Sequence, residues 1–130
     1  MSSNSRKVPV TNTPRIGKTV ELYALNYLNQ VGLKTITQNW SCRFGEIDLI
    51  MLEQDTLVFI EVRYRKSSHF GGALDSIDQH KCAKIIKTAE SFLNKYPQWL
   101  EHACRFDVIT AHPSATEAFT LDWIQDAFES

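Results

Sequence analysis

Apolar and polar positions recur with two different periods in this chain, and each period predicts a different kind of element. In residues 14–31 the apolar side chains recur every three or four positions, as on one face of an α-helix, and Gly32 would end that helix. Further on, shorter runs have the two-residue period of half-buried strands. These runs predict strands at three places: residues 34–42, 45–52 and 57–64.

The second half of the chain predicts another helix and further strands. Ser76 and Gln79 form a capping box, which would begin a helix that continues to about residue 96, before Pro97. After it the pattern predicts a strand at residues 104–111, a short strand at 118–121, and a closing turn or helix at 123–128. The order αβββαβ with a tail is typical of an α/β protein.

The chain has the size of one domain, with one segment outside it. Residues 1–13 are polar and rich in Ser and Asn, which predicts a disordered arm before a single domain at residues 14–130. Between the third strand and the second helix, the pair Gly71-Gly72 predicts a mobile loop at residues 67–74.

Two acidic residues lie inside stretches that otherwise predict buried strands. Asp48 and Glu61 are flanked by Ile, Leu and Val, and a carboxylate there needs a cation, a proton or hydrogen bonds. The polar residues 53–56 predict a β-hairpin in which Leu52 faces Leu57, and this register places Asp48 opposite Glu61. Opposed side chains lie about 5 Å apart. The two carboxylates would therefore converge, and Mg²⁺ or Mn²⁺ would relieve their repulsion.

The same register predicts which charges surround the acidic pair. Glu46 would face Arg63 as an ion pair, and Glu61, Arg63 and Arg65 would share one face of their strand. A metal beside a cation suits phosphodiester hydrolysis, because both stabilise the negative charge of the reacting phosphate. The alternative interpretation is structural: buried ion pairs with Arg43, Arg63 or Arg65 would also satisfy both acids.

These residues carry a resemblance to known nucleases. Asp48 followed by Glu61-Val62-Arg63 looks like the PD-(D/E)xK signature of restriction-endonuclease-like proteins. Over about residues 15–128 the chain also resembles the bacterial YraN family, which is described as endonuclease-like and related to archaeal Holliday-junction resolvases. This resemblance implies a restriction-endonuclease-like α/β fold with a mixed central sheet flanked by helices. It is carried by Gly17, Glu21, Ala24, Tyr27-Leu28, residues 45–50, Glu61-Val62-Arg63, Phe70-Gly71, Ser76-Ile77 and Lys81.

The resemblance also implies a site and its ligands. Asp48 and Glu61 would bind Mg²⁺ or Mn²⁺ together with the carbonyl of Val62, and Glu21 would approach from the first helix. DNA would be the substrate, with branched or structured DNA as a candidate, and a homodimer is expected by analogy. The implied catalytic residues are Glu21, Asp48, Glu61 and Arg63, and the implied nucleic-acid-binding residues are Arg63, Arg65, Lys66, Lys81 and Lys84.

One residue departs from the superfamily pattern. Arg63 stands where a Lys is usual, and an arginine does not act as a general base. Either the reaction does without that base, or Lys81 replaces it, or hydrolysis has been lost and binding kept. The chain is accordingly expected to be a metal-dependent DNA endonuclease or, alternatively, a weak or inactive nucleic-acid-binding module of a repair or recombination complex. A protein-interaction domain that inherited the fold is the third hypothesis.

Composition excludes some classes of protein. The net charge of −1 argues against a protein that coats nucleic acid by charge alone. Basic residues are concentrated at residues 1–20 and 61–95, near the expected acidic site. The three cysteines lack zinc-site spacing, which favours a reducing compartment. Neither a signal peptide nor a membrane span is indicated, so we expect a cytoplasmic protein.

Overall fold

The computed structural model describes residues 13–66 and 77–130. Residues 1–12 of the predicted arm and the predicted loop at residues 67–74 lie outside these residues, whereas Thr13, the last residue assigned to the arm, begins α1. The elements follow in the order α1 (Thr13–Gln30), β1 (Lys34–Cys42), β2 (Gly45–Glu53), β3 (Thr56–Tyr64), α2 (Gln79–Lys95), a 3₁₀ turn (Pro97–Trp99), β4 (Ala103–Pro113) and β5 (Phe119–Phe128). The first strand has the predicted bounds, and the next two are each one residue longer than predicted.

The five strands form one mixed sheet in the order β1-β2-β3-β4-β5. Strands β3 and β4 are parallel, with α2 between them in the chain, whereas every other neighbouring pair is antiparallel. This architecture confirms the predicted α/β fold, in which a mixed sheet is flanked by two helices as in restriction-endonuclease-like proteins. Among the described residues, no helix combines the length and the hydrophobicity that a membrane span requires.

Each face of the sheet packs against one helix, because successive side chains of a strand point to opposite faces. In β3, Val58 and Ile60 pack on the α1 side, while Leu57 and Phe59 pack on the α2 side. The α1 cluster contains Ala24, Leu25, Leu28, Leu33, Leu49, Met51, Val58, Ile60 and Ile109. The α2 cluster contains Ile47, Ile50, Leu57, Phe59, Ile85, Ala89, Phe92 and Phe106. Glu61 follows the Leu57 and Phe59 series and so faces the α2 side.

The predicted start of the second helix and the predicted element at residues 123–128 are wrong. The second helix begins at Gln79 with Asp78 rather than Ser76 as its N-cap, because the Asp78 carboxylate accepts a hydrogen bond of 2.8 Å from the Lys81 backbone N–H. Residues 123–128, predicted as a turn or helix, belong to β5. The β4–β5 pairing is irregular there, and Asp126 has a positive φ of 54°. Both features interrupt the two-residue period, so the sequence pattern did not predict a strand.

Candidate active site

Asp48 and Glu61 lie where the pairing of β2 with β3 ends. The predicted hairpin register is confirmed: Leu52 faces Leu57, and the ladder continues to the pair Leu49 and Ile60. Asp48 and Glu61 are the next residues on the two strands. Beyond this point the Asp48 side chain, rather than the backbone of β2, accepts the hydrogen bond of the Val62 backbone N–H, at 2.8 Å.

The two carboxyl groups are largely buried and interact directly. The Glu61 carboxylate lies close enough to Asp48 for the two charges to interact, and only 6% of Glu61 is exposed. Burial, followed by the negative charge of Glu61, raises the pKa of Asp48 to about 8, against the opposing effect of the Val62 hydrogen bond. Burial also raises the pKa of Glu61, although the nearby Lys81 and Arg63 lower it. Without a bound cation, the pair therefore retains one proton at neutral pH.

Two cations reach the pair from different elements, and both contact Glu61. Arg63 Nη1 lies 3.6 Å from Glu61 Oε2, and Lys81 Nζ lies 3.5 Å from the same oxygen. The predicted ion pair of Glu46 with Arg63 is therefore replaced by the pair of Arg63 with Glu61. The side chains of Arg63 and Lys81 remain 35% and 41% exposed. Both cations can thus contact Glu61 and a bound anion at the same time.

Glu21 approaches the pair from α1, as the family resemblance implied. Its Oε1 accepts a hydrogen bond of 2.9 Å from Asn39 Nδ2, while Asn39 Oδ1 accepts one of 3.0 Å from Lys18 Nζ. Asn39 lies in β1 between the residues that face Leu49 and Ile47, which places it opposite Asp48. The negative charge of Glu21 contributes to the raised pKa of Asp48.

Sequence reasoning missed Asn39, although the residue type offered a signal. Asn is uncommon inside strands and tolerates a positive φ, and Asn39 has a φ of 50°. This conformation occurs in the middle of β1, where a β-branched or aromatic residue would be usual. Asn39 therefore occupies a strand position whose side chain hydrogen-bonds to Glu21 rather than packing in the core.

The donor atoms at the pair fit a hard divalent cation. Asp48 and Glu61 offer carboxylate oxygens, and in an extended strand the Val62 carbonyl points to the same edge as its N–H, toward Asp48. In the part of the chain that the structure describes, no group of three or more His, Cys, Asp and Glu side chains could hold a metal ion. An ion bound here would therefore complete its coordination with water and substrate oxygens, which is typical of Mg²⁺ and suits Mn²⁺.

The other predicted nucleic-acid-binding residues lie further along the same elements. Arg65 follows β3, and its backbone N–H donates a hydrogen bond of 2.8 Å to the Ala111 carbonyl. Lys66 is exposed directly after it, and Lys84 is exposed one helical turn beyond Lys81 on α2. The structure thus brings Glu21, Asp48, Glu61, Arg63 and Lys81 together, whereas Arg65 and Lys66 follow β3 and Lys84 lies further along α2.

A second buried acid, Asp107 in β4, has both a cationic partner and hydrogen-bond donors, as a carboxylate with a structural role requires. Asp107 is fully buried, and its Oδ1 lies 3.0 Å from Arg105 Nε. Trp123 Nε1 donates to Oδ2 at 2.9 Å, and the Asp126 backbone N–H donates to Oδ1 at 2.9 Å. The ion pairs among the described residues include none to Asp48. Within that part of the chain, Asp48 therefore lacks the cation that the buried structural acid has.

Known proteins match most of this chain. A model of the uncharacterised protein family UPF0102 matches residues 20–111. A UPF0102 protein of Stutzerimonas stutzeri is 49% identical over 114 residues, which cover 88% of this chain and 94% of the relative. One from Pseudomonas putida (strain GB-1) is 46% identical over 122 residues, which cover 94% and 99% of the two chains. One from Pseudomonas savastanoi pv. phaseolicola is 45% identical over 123 residues, which cover 95% and 100%.

These matches include the strands that carry Asp48 and Glu61, and they confirm the resemblance inferred from the sequence motifs. The matched region extends from α1 through β4, so it contains every described element that contributes to the acidic pair. The chain belongs to the uncharacterised protein family UPF0102, the YraN family.

Proposed function

We propose that this protein is a metal-dependent nuclease that hydrolyses phosphodiester bonds in DNA, with Asp48 and Glu61 as the ligands of one Mg²⁺ or Mn²⁺ ion. The observation that carries the proposal is the placement of two largely buried, mutually repelling carboxyl groups on adjacent strands, of which Asp48 has no cationic partner within the described residues. Two buried like charges are unfavourable unless a proton or a cation joins them. The exposed flank formed by Arg63 and Lys81 gives a phosphate access to that cation.

The proposed roles follow from the contacts of each side chain. A bound divalent ion would supply positive charge to the scissile phosphate and acidify a water molecule. Asp48 and Glu61 hold the ion, and Val62 fixes Asp48 through its N–H. Arg63 donates to the phosphate oxygens in the planar, bidentate manner of a guanidinium and stabilises the charge that develops on them.

Lys81 is proposed to contact the attacking water and the scissile phosphate in place of the lysine that is usual at position 63 in the superfamily. Its ammonium group lies 3.5 Å from the same Glu61 oxygen that Arg63 contacts, although it comes from α2 rather than from β3. From there it can donate a hydrogen bond to the attacking water or to a phosphate oxygen. This placement gives Lys81 the orienting and charge-stabilising part of that role, whereas a donated hydrogen bond does not remove the proton of the water.

The second candidate function is a nucleic-acid-binding module that does not hydrolyse its ligand. The observation that favours it is Arg63 itself, which already pairs with Glu61 and does not act as a general base. Such a module would bind DNA through the same cations and would have no need of the Asp48 carboxylate. The two candidates therefore make opposite predictions for a substitution of Asp48.

The nuclease proposal also concerns the number of subunits. The described part of each chain has one such acidic pair, so one subunit hydrolyses one strand at a time, and a cut through both strands of a duplex requires two copies. We include a homodimer on duplex substrates in the proposal. Its signature is a linear product formed from circular duplex DNA without accumulation of the nicked circle.

The test is cleavage of a labelled panel of duplex, single-stranded, flap and four-way-junction DNA with Mg²⁺ or Mn²⁺. Wild-type protein is compared with Asp48→Asn, and Asp55→Asn in the exposed β2–β3 turn is the matched control. Gel shifts on the same samples measure binding. Cleavage by wild type and Asp55→Asn but not by Asp48→Asn supports the nuclease. Binding by all three proteins without cleavage supports the module, and the absence of both activities contradicts both candidates.

A further inference from the structure

The turn between β1 and β2 lies directly against α2. This turn consists of Arg43 and Phe44, and it is followed by Gly45, which has a φ of +150°. A Cβ atom at Gly45 would lie 3.3 Å from Thr88 Oγ1 on α2, closer than most neighbours tolerate. Glycine therefore allows the turn to approach the helix closely, and the side chains of the turn join those of α2 on one surface.

The ring of Phe44 holds two cations from distant parts of the chain. Arg43 Cζ lies 4.9 Å from the centroid of the ring, and Lys87 Nζ of α2 lies 5.7 Å from it. Both distances are within the range of a cation–π interaction. Two like charges that repel each other are thus held at one ring, where an anion would be attracted to both.

Three basic side chains on this surface have no acidic partner among the described residues. Arg63 and Lys81 pair with Glu61, whereas none of the ion pairs in that part of the chain involves Arg43, Lys84 or Lys87. All three are exposed. We call Arg43, Lys84 and Lys87 the basic row, which begins one helical turn beyond Lys81.

The distance from Lys81 to Lys87, at the far end of the basic row, fits the spacing of phosphates along a nucleic-acid strand. Lys81 and Lys87 are six residues apart on α2, which corresponds to about 9 Å along the helix axis. The row therefore continues away from the acidic pair over the distance of one or two further nucleotides. An ordinary solvated helix face would account for Lys84 and Lys87, but it does not account for the aromatic ring and arginine that the β1–β2 turn adds beside Lys87.

We propose that the basic row binds the backbone phosphates of the DNA strand that flanks the scissile phosphate. This inference rests on the proposed nuclease function and adds to it the path of the strand, from the acidic pair along α2 to the β1–β2 turn. The contacts are to phosphates, so they add affinity without a preference for base sequence.

The experiment measures the dependence of binding to a short fluorescent DNA duplex on the concentration of NaCl by anisotropy, without divalent ions and in the Asp48→Asn background, so that no cleavage occurs. The test variant carries Arg43→Gln and Lys87→Gln. The control carries Lys34→Gln and Lys95→Gln, which remove the same charge from exposed positions at other places. Lys95 is a fair match because it also lies over a ring, with its Nζ 5.9 Å from the centroid of Tyr96.

The slope of log affinity against log salt concentration should become less steep by about 1.8 in the test variant, since each phosphate contact contributes about 0.9. The control should keep the slope of the parent protein. A separate Lys84→Gln variant should lose about 0.9 of the slope, and it leaves the β1–β2 turn intact if the double variant fails to fold.

The outcomes separate this inference from the function on which it rests. Equal slopes for the parent and the test variant, or equal losses in the test and control variants, overturn the basic row and leave the nuclease untouched. If Asp48→Asn loses cleavage while the salt slope of the basic-row variants stays unchanged, only the proposed role of the basic row is overturned. Absence of DNA binding by the parent, whether or not Asp48 is substituted, overturns both.

Discussion

The Asp48 carboxyl accepts a hydrogen bond of 2.8 Å from the Val62 backbone N–H, across the gap at which β2 and β3 stop pairing. A side chain of one strand thus replaces the backbone of that strand as the acceptor. The bond fixes the Asp48 carboxyl beside Glu61 and turns the Val62 carbonyl toward the same space. Each of the following predictions depends on this arrangement or on its contrast with Asp107.

Substitution of Asp48 by Asn should stabilise the protein in the absence of divalent ions. Burial raises the pKa of Asp48 to about 8, whereas an unfolded Asp titrates near about 4. A raised folded pKa adds stability that is complete below about pH 4 and is lost as the pH rises to about 8. Asn keeps the acceptor for Val62 without the charge, so Asp48→Asn should gain about 2 kcal/mol in the free energy of unfolding at pH 8.

Urea unfolding at pH 5 and pH 8 measures this difference. Wild-type protein should lose stability between the two values, and Asp48→Asn should lose less. Asp55→Asn, at an exposed turn position, should follow wild type. A wild-type protein whose stability rises with pH over this range would contradict the environment described for Asp48.

Mg²⁺ or Mn²⁺ should stabilise wild-type protein at pH 8, because the proposed ion would replace the proton at Asp48 and Glu61. At an ion concentration ten times the Kd, the linkage gives about 1.4 kcal/mol, which corresponds to about 5 °C in Tm for a chain of this length. Differential scanning calorimetry measures the shift. It should be absent in Asp48→Asn and present in Asp55→Asn, and an equal shift in all three proteins would point to a different binding site.

The basic residues at the pair should differ in their effect on catalysis. Lys81→Gln should lower the cleavage rate about 100-fold, as expected for the loss of a group that acts in the transition state. Arg63→Lys should leave the rate within about tenfold, because Lys still donates to a phosphate but loses the bidentate geometry. Single-turnover kinetics on the best substrate of the DNA panel measures both rates.

The opposite result has a defined meaning. If Arg63→Lys raises cleavage by more than about tenfold while Lys81→Gln leaves it unchanged, the natural chain is adapted for binding and the position of the lysine in β3 is decisive. The proposed role of Lys81 would then be wrong.

Asp107→Asn should act in the opposite direction to Asp48→Asn. It removes the charge that Arg105 contacts and weakens an arrangement in which Trp123 and the Asp126 backbone also donate to Asp107. Loss of one partner of a buried ion pair costs about 3 kcal/mol. Urea unfolding should show this loss at pH 5 and pH 8 alike, and DNA binding per folded molecule should be unchanged. A neutral or stabilising effect would remove the contrast on which the metal proposal relies.

The sequence predicted the parts of the site that depend on nearby residues. The turn residues 53–56 determine the register of β2 and β3, and the register determines which side chains face each other. Asp48 and Glu61 therefore followed from a pattern within one hairpin. The fold class followed from the order of helical and extended periods together with the family motifs.

Contacts between distant segments were not predictable in the same way. Asn39 joins β1 to Lys18 and Glu21 of α1 through side-chain hydrogen bonds that leave no periodic signal. Asp107 has its partners Trp123 and Asp126 in β5, and the irregular pairing of β5 prevented the sequence pattern from predicting that strand. The expected pair of Glu46 with Arg63 assumed that the ladder continues past Asp48, but it ends at Leu49.

The two carboxyl groups of the pair lie on one hairpin, whereas Glu21 and Lys81 lie on helices, and this division has a consequence for how the site assembles. Both proposed ligands lie on strands that a turn of a few residues joins, so the entropy lost when these strands pair is small. The parallel pairing of β3 with β4, by contrast, spans the whole of α2 and has a higher contact order. The acids are therefore brought together by contacts within one hairpin, and the lysine of α2 joins them through contacts between more distant segments. Changes in the second half of the chain should alter the charge around the site more readily than the spacing of its two carboxyl groups.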